Sequence, residues 1–348
     1  MRVVLTVDPY VPVPPQLYGG IERVVDFLVR GLVARGHAVT LLAHPESRTT
    51  ATLVPYGSPP HTGWTPRLAE LWQVGSRLWS RRHDFDLVHS FGRLAALVPL
   101  LPLRRLPKIQ SYQRDGIPWR NVATAVRLAG NSIRFTGCSS NMYRELSVHG
   151  AAGGRWCTIY NGVDIGKYTF VHNVAADGPL VFLGRLERVK GVHHAIAIAQ
   201  AAGKRLVIAG NRVETGANAG YFEQQIAPFI DGETVSYVGP VDDAAKNRLL
   251  GSSIALLMPV EWEEPFGIVM VEAMACGTPV IGFSRGSLPE VIRDGVNGYL
   301  CQRPLDAAAA VCRLRSIDRA RVRADCEERF GDTAIVSAYE RLYREMLG

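Results

Sequence analysis

Two successive domains of parallel sheet wrapped in helices, an α/β organisation, are what this sequence predicts, on three observations. Its 348 residues are too many for one ordinary core of ~100–200 residues. Short apolar runs alternate with stretches whose apolar residues recur at helical spacing, the mark of strand–helix–strand units. The alternation breaks at an Asn-Gly turn and a polar stretch, residues 172–179, and starts afresh at residue 180.

Taken in order, residues 3–7 form an apolar strand that ends in a Pro/Gly-rich loop, 9–20. Val24, Val25, Leu28 and Leu32 then recur on one helical face, Gly36 closes that helix, and residues 38–43 return as a strand. Further strands are expected at 87–90, 108–112 and 134–138, with helical stretches between them. The second half repeats the plan: strand 180–183, helix 192–202, strands 205–209 and 236–238, a helix from Ala244, strand 254–258, a helix from Gly267 and strand 279–283. These halves read as Rossmann-like domains, 1–165 and 166–330, facing each other across a cleft. In residues 333–347, Ile335, Tyr339, Leu342 and Met346 form one helical stripe, so segment 331–348 is expected to dock back on the first domain.

Composition narrows the function classes. A hydrophobic content of 47%, a charged content of 20% and a mean hydropathy of +0.04 exclude a disordered or fibrous chain. The most apolar stretch, 94–103, is short and broken by Pro99 and Pro102, so no membrane span is expected. The start reads as a strand and not a signal peptide, and six cysteines without a C-x-x-C pair fit free thiols in a cytoplasmic protein. Only five of the 39 basic residues are lysine, which makes Lys190 stand out. Residues 1–165 hold 19 Lys+Arg against 10 Asp+Glu, whereas 166–348 hold 20 against 22. The first half therefore prefers anionic company: an acidic or lipid-linked acceptor, or peripheral contact with an anionic membrane surface. No aromatic-basic motif points to nucleic acid.

The strongest constellation is EPFGIVMVE, 264–272, directly after an apolar strand. Phe266, Gly267, Ile268 and Val269 lead into the first turn of a helix, whose unbonded N–H groups and positive dipole end suit a pyrophosphate. Glu272, one turn beyond Ile268, is placed to accept hydrogen bonds from ribose hydroxyls, and Glu264 lies at the mouth of the cleft. Arg185 and Lys190, in GRLERVKG just after strand 180–183, are expected to converge at the sheet's C-terminal edge, where cations stabilise a leaving diphosphate. Gly19 and Gly20 follow the first strand, where a missing side chain lets backbone approach a ligand phosphate or simply makes a tight turn.

Segment 180–300, with the N-terminal loop, resembles the retaining glycosyltransferases of family 4, which have the GT-B fold. Two carboxylates separated by seven residues mark that family's donor site and stand here at Glu264 and Glu272; PPQLYGGIERVV, DLVHS, FTGCSS, IYNGVD and FLGRLERVKG are similar to family motifs in the family's order. The resemblance implies a nucleoside-diphosphate sugar as donor, UDP before other nucleotides, bound by the second domain, with the acceptor on the first. It implies Arg185 and Lys190 as the phosphate-binding cations, no protein nucleophile, no cofactor and no metal. The leaving phosphate itself would help deprotonate the acceptor. One departure stands out: where family members often carry a histidine that meets the donor sugar, PKIQSYQR offers Gln113. A GT-B sugar-nucleotide epimerase and a non-catalytic nucleotide-sugar-binding subunit are the alternative readings.

Other features are expected to be structural. Asp84-Phe85-Asp86 has the form of a metal-binding D-x-D but leads into a strand without further ligands. His193-His194 reads as helix surface, His89 as either a strand-end or a site histidine, and Glu22 and Arg23 as cap and surface residues. Trp64, Leu68, Leu71, Trp72, Leu78 and Trp79, interleaved with Arg67, Arg77, Arg81 and Arg82, read as a core-facing helix, with a membrane-surface helix as the alternative.

Overall fold

The computed structural model describes residues 1–15, 19–57 and 64–348, with only the backbone of 64–67. Expectations resting on residues 16–18, 58–63 and the side chains of Trp64 and Arg67 lie outside the described residues. The chain divides into two compact units: Met1–Asn161 with Asp332–Gly348, and Gly162–Gly331. The chain thus leaves the first unit four residues before the expected boundary at 165, and its last helix groups with that unit.

The first unit holds a seven-stranded parallel sheet: β1 (Arg2–Thr6), β2 (Ala38–Ala43), β3 (Thr52–Pro55), β4 (Leu87–Ser90), β5 (Lys108–Tyr112), β6 (Ile133–Gly137) and β7 (Trp156–Thr158), in the order β3-β2-β1-β4-β5-β6-β7. Val3 pairs with Val39 on one side and Leu87 on the other, so the strand order reverses at β1. The second unit repeats the plan with β8 (Leu180–Leu183), β9 (Leu206–Ala209), β10 (Val235–Tyr237), β11 (Ala255–Met258), β12 (Val280–Phe283) and β13 (Gly298–Cys301), in the order β10-β9-β8-β11-β12-β13, and reverses at β8. Strands such as β4 and β11 are buried along their length, because helices cover both sheet faces. In open sheets of this kind ligands bind beyond the C-terminal ends of the strands where the order reverses. Those points are the exits of β1 and β4 in one unit, and of β8 and β11 in the other.

Packing accounts for the remaining helices. Helix Gly20–Ala34 buries Val24, Val25, Leu28 and Leu32, and the last helix, Asp332–Leu347, packs on it with Val336 against Gly31. Glu340 of that helix forms an ion pair with Arg35 at 2.7 Å and lies 2.9 Å from His37 Nε2. His89 is fully buried, its Nδ1 2.6 Å from Tyr343 Oη and its Nε2 2.6 Å from Ser111 Oγ. Burial pushes its pKa down to about 3, so this histidine is a neutral pin between the last helix and the sheet and not a site residue. Helix Trp64–Ser80 departs from the core-facing reading: Val74 and Leu78 are buried, but Leu68, Trp72 and Trp79 stand 65%, 78% and 43% exposed, with the Arg82 guanidinium 4.5 Å over the Trp79 ring. Apolar spacing alone could not separate the face that meets the 3-10 segment Leu94–Leu100 from the face that meets water. Asp86 of the D-x-D accepts from Arg2 at 2.7 Å, which holds its carboxyl below the usual range. None of the six cysteines forms a disulfide.

Candidate active site at the strand-order reversals

In the second unit the loop leaving β8 is pinned by Leu186, fully buried, whose N–H donates to Asn211 O at 2.9 Å. A single 3-10 turn, Arg188–Lys190, then presents Lys190 toward the segment leaving β11. Lys190 Nζ donates to Glu264 Oε2 at 2.6 Å and sits 4.5 Å over the ring of Trp262, whose Nε1–H donates to the same oxygen at 2.9 Å. Arg185, on the same loop, is half-exposed and pairs with Glu187 at 2.9 Å. The structure thus brings Lys190 to Glu264, and directs Arg185 to its own loop.

Glu264 is held from behind by backbone. Ser287 N–H donates to Glu264 O at 2.9 Å, and Gly286 lies so close that a Cβ there would stand 2.3 Å from Glu264 N. With φ at +57°, residue 286 must be glycine for this contact to exist. Gly267 caps helix Ile268–Ala275, which starts without a side-chain cap, while Gly267, Ile268 and Val269 remain partly accessible. The first N–H groups of that helix have no intrahelical partner, and they carry the positive end of its dipole. Phe266 is the exception among the expected donor-site residues. Its side chain is buried against Phe330, centroids 5.8 Å apart, and its carbonyl accepts from Ser287 Oγ at 2.8 Å, so it anchors the loop.

Glu272 lies in the same helix, buried, but it already has partners. Lys246 Nζ at 2.5 Å and Tyr168 Oη at 2.6 Å both donate to its Oε1. Sequence reasoning missed both donors, although Lys246 is one of only five lysines and the rarity that singled out Lys190 applied equally to it. Tyr168 and Trp262 left no signal, since nothing in their spacing marks them.

The first unit's reversal point carries a different set. Asp8 follows β1 and its Oδ1 accepts from Arg93 N–H at 3.3 Å; Arg93 Nη2 donates to Tyr10 Oη at 2.7 Å, and Tyr10 donates to Glu70 at 2.8 Å. Burial raises the carboxyl pKa of Asp8 against the opposing charge of Arg93, and burial likewise raises that of Glu22. Glu22 is therefore no surface residue: it is 6% exposed. Gln113, beyond β5, has both side-chain polar atoms buried without a partner among the described residues. Gly19 is extended, with φ at 164°, and a Cβ there would meet Pro15 Cβ at 2.7 Å, so the absent side chain serves loop packing; Gly20 opens the helix. His193 and His194, expected on a helix surface, are half-buried and both face Glu261.

Comparison with known proteins agrees across the chain. Residues 18–167 match the family model described as Glycosyltransferase Family 4, and residues 170–331 match that described as Glycosyl transferases group 1. Glycogen synthase of Mycobacterium tuberculosis is 28% identical, over 91% of this chain and 86% of the relative. Among solved structures, AviGT4, a glycosyltransferase involved in avilamycin A biosynthesis, superposes with a TM-score of 0.72 at 28% identity, covering 100% of this chain and 98% of that one. Anabaena HepE, solved with UDP and glucose, superposes with a TM-score of 0.73 at 21% identity over 99% of each chain.

Proposed function

The chain belongs to glycosyltransferase family 4 and has the GT-B fold, and from that premise we propose that it transfers a sugar from a nucleoside-diphosphate donor to an acceptor hydroxyl with the anomeric configuration retained. The observation that carries the reading is the Lys190–Glu264 pair, 2.6 Å apart, at the β8/β11 reversal beside an uncapped helix N-terminus. A diphosphate laid against that terminus meets the dipole and Lys190 together, and Arg185 reaches it by leaving Glu187. As the bond from the anomeric carbon to the phosphate oxygen breaks, charge grows on the diphosphate and these cations stabilise it. The acceptor oxygen forms its bond on the same face, and its proton passes to the departing phosphate oxygen. Glu264 faces the positive charge that develops on the sugar, and Glu272 holds the ribose.

The first unit takes the acceptor. Its net positive charge suits an acidic or lipid-linked acceptor, while the Gln113 amide, without a partner among the described residues, suits a hydroxyl of the donor sugar. The exposed Leu68, Trp72 and Trp79, flanked by arginines, favour peripheral contact with an anionic membrane; no described helix is long and apolar enough to cross one. UDP is the expected nucleotide, in keeping with the ligand of HepE. The test is a thermal-shift screen with UDP-, GDP- and dTDP-sugars, followed by NMR of the product. A UDP-sugar should raise the melting temperature, and the product should keep the donor's anomeric configuration. An inverted glycoside, an epimerised nucleotide sugar or binding without turnover would overturn the reading.

A further inference from the structure

The histidine pair opening helix Val192–Ala202 forms a second constellation that the donor site does not use. On a helix, successive residues point about 100° apart, yet the two rings lie with centroids 4.0 Å apart and both Nε2 atoms turn to Glu261 Oε1. The separations are 2.9 Å from His194 and 3.6 Å from His193. His193 Nδ1 is 2.8 Å from Tyr221 Oη, and when it donates there Nε2 presents a lone pair toward the carboxylate. The three ligand atoms lie within 4.8 Å of one another, on side chains that solvent reaches.

We propose that His193, His194 and Glu261 bind a divalent transition metal of the zinc class, which clamps the segment bearing Lys190 to the segment bearing Glu264. Two imidazole nitrogens and one carboxylate oxygen form a donor set that suits zinc, whereas magnesium and calcium seek oxygen ligands. With metal–ligand bonds of about 2.0–2.2 Å, ligand atoms of a tetrahedral site stand roughly 3.3–3.5 Å apart. The observed 2.9 and 3.6 Å bracket that spacing, and three protein ligands leave a fourth position for water. The site's place gives it a role. His193 lies three residues after Lys190, Glu261 lies three before Glu264, and the two segments already touch through Glu261 N–H donating to Val189 O at 2.8 Å. An ion here fixes the donor-site loops from the side and takes no part in the transfer.

Zinc chloride titrated into chelator-stripped, tag-free full-length protein, in competition with a chromophoric zinc indicator and with melting temperature followed in parallel, tests this. One equivalent of zinc should bind and raise the melting temperature, EDTA should reverse that gain, and magnesium should do neither. His194→Ala and Glu261→Gln should each weaken zinc binding at least tenfold and lose the thermal gain, and His193→Asn should do the same if one variant folds poorly. His172→Ala, at an exposed histidine elsewhere, should change neither readout. Absence of stoichiometric zinc binding by the wild-type chain, zinc affinity undiminished in all three site variants, or equal binding of magnesium would overturn the proposal.

Discussion

The two strand-order reversals share a topology and differ in how their polar groups are met. At the β8/β11 reversal each glutamate has its partners: Glu264 accepts from Lys190 and Trp262, and Glu272 from Lys246 and Tyr168. At the β1/β4 reversal Thr6 Oγ1 and Ser90 Oγ, the side chains closing the two strands, have no partner among the described residues, and neither has the Gln113 amide beyond β5. Buried polar groups in folded proteins are nearly always bonded, so these atoms are where the proposed function puts hydroxyls of a ligand. On the proposed reading one unit is an electrostatic site whose charges are paired before the ligand arrives, and the other is a polar surface that its ligand completes. Topology sets the place in both; the side chains set what each place accepts.

The sharpest way to break this comparison is to remove the preorganised charge. Lys190→Ala should lower kcat by 10²- to 10³-fold, about 3–4 kcal/mol, because the cation acts on charge that appears as the bond breaks. Arg185→Ala, at a half-exposed side chain already engaged by Glu187, should cost about 2 kcal/mol. Steady-state kinetics decide it: a raised KM with unchanged kcat in both variants would reduce these residues to ground-state binders.

Stability separates the units next. Glu272→Gln leaves Lys246 buried with only Asp243, at 3.3 Å, to offset it, and should destabilise the chain by about 3 kcal/mol in urea unfolding. The double variant Lys246→Met/Glu272→Leu should lose less than the single one, because no charge is then stranded; equal losses would show that packing and not charge decides.

In the first unit the effect runs with pH. Burial raises the folded-state pKa of Asp8, so its unfavourable contribution is absent below the unfolded value of about 3.9 and grows as pH rises toward and through the raised folded value. Asp8→Asn should therefore be more stable than wild type at pH 8, with the gain shrinking toward pH 4. Urea titrations at the two pH values check this, and a gain larger at pH 4 would contradict the burial argument. The smallest expected effect on stability is that of Gln113→Ala, which removes an unmet amide: melting should barely move, while kcat/KM for the sugar nucleotide falls about tenfold, the scale of one lost hydrogen bond. A large thermal loss with unchanged kinetics would make Gln113 a packing residue.

How far the sequence reached follows the same division. Strands β1, β2, β4, β5 and β8 were placed within a residue, and β1, β2 and β8 are near-continuous apolar runs because both sheet faces are buried. Strands β3, β7 and β13 went unread; all three lie at sheet edges, and β3 and β7 are only partly buried there. In the second unit the candidate site could be read because its residues cluster in two short strings, 185–190 and 264–272. The partners that surround it were not: Tyr168, Lys246 and the pairing of His193 and His194 with Glu261 join positions 26 to 104 residues apart, and only the fold brings them together. The first unit's Asp8, Arg93 and Glu70 come from three separate loops and helices and left no local pattern at all.

The central claim is that the second unit binds the donor through two glutamates with separate duties. Calorimetric titration of UDP into wild type, Glu264→Gln and Glu272→Gln, at a temperature where all three are folded and with kcat measured beside it, tests that claim most directly. Neutralising Glu264 frees Lys190 of its counter-charge, so this variant should bind UDP at least as tightly as wild type while its kcat falls. Neutralising Glu272 should weaken UDP about tenfold. Loss of UDP affinity in Glu264→Gln with full affinity in Glu272→Gln would contradict the account.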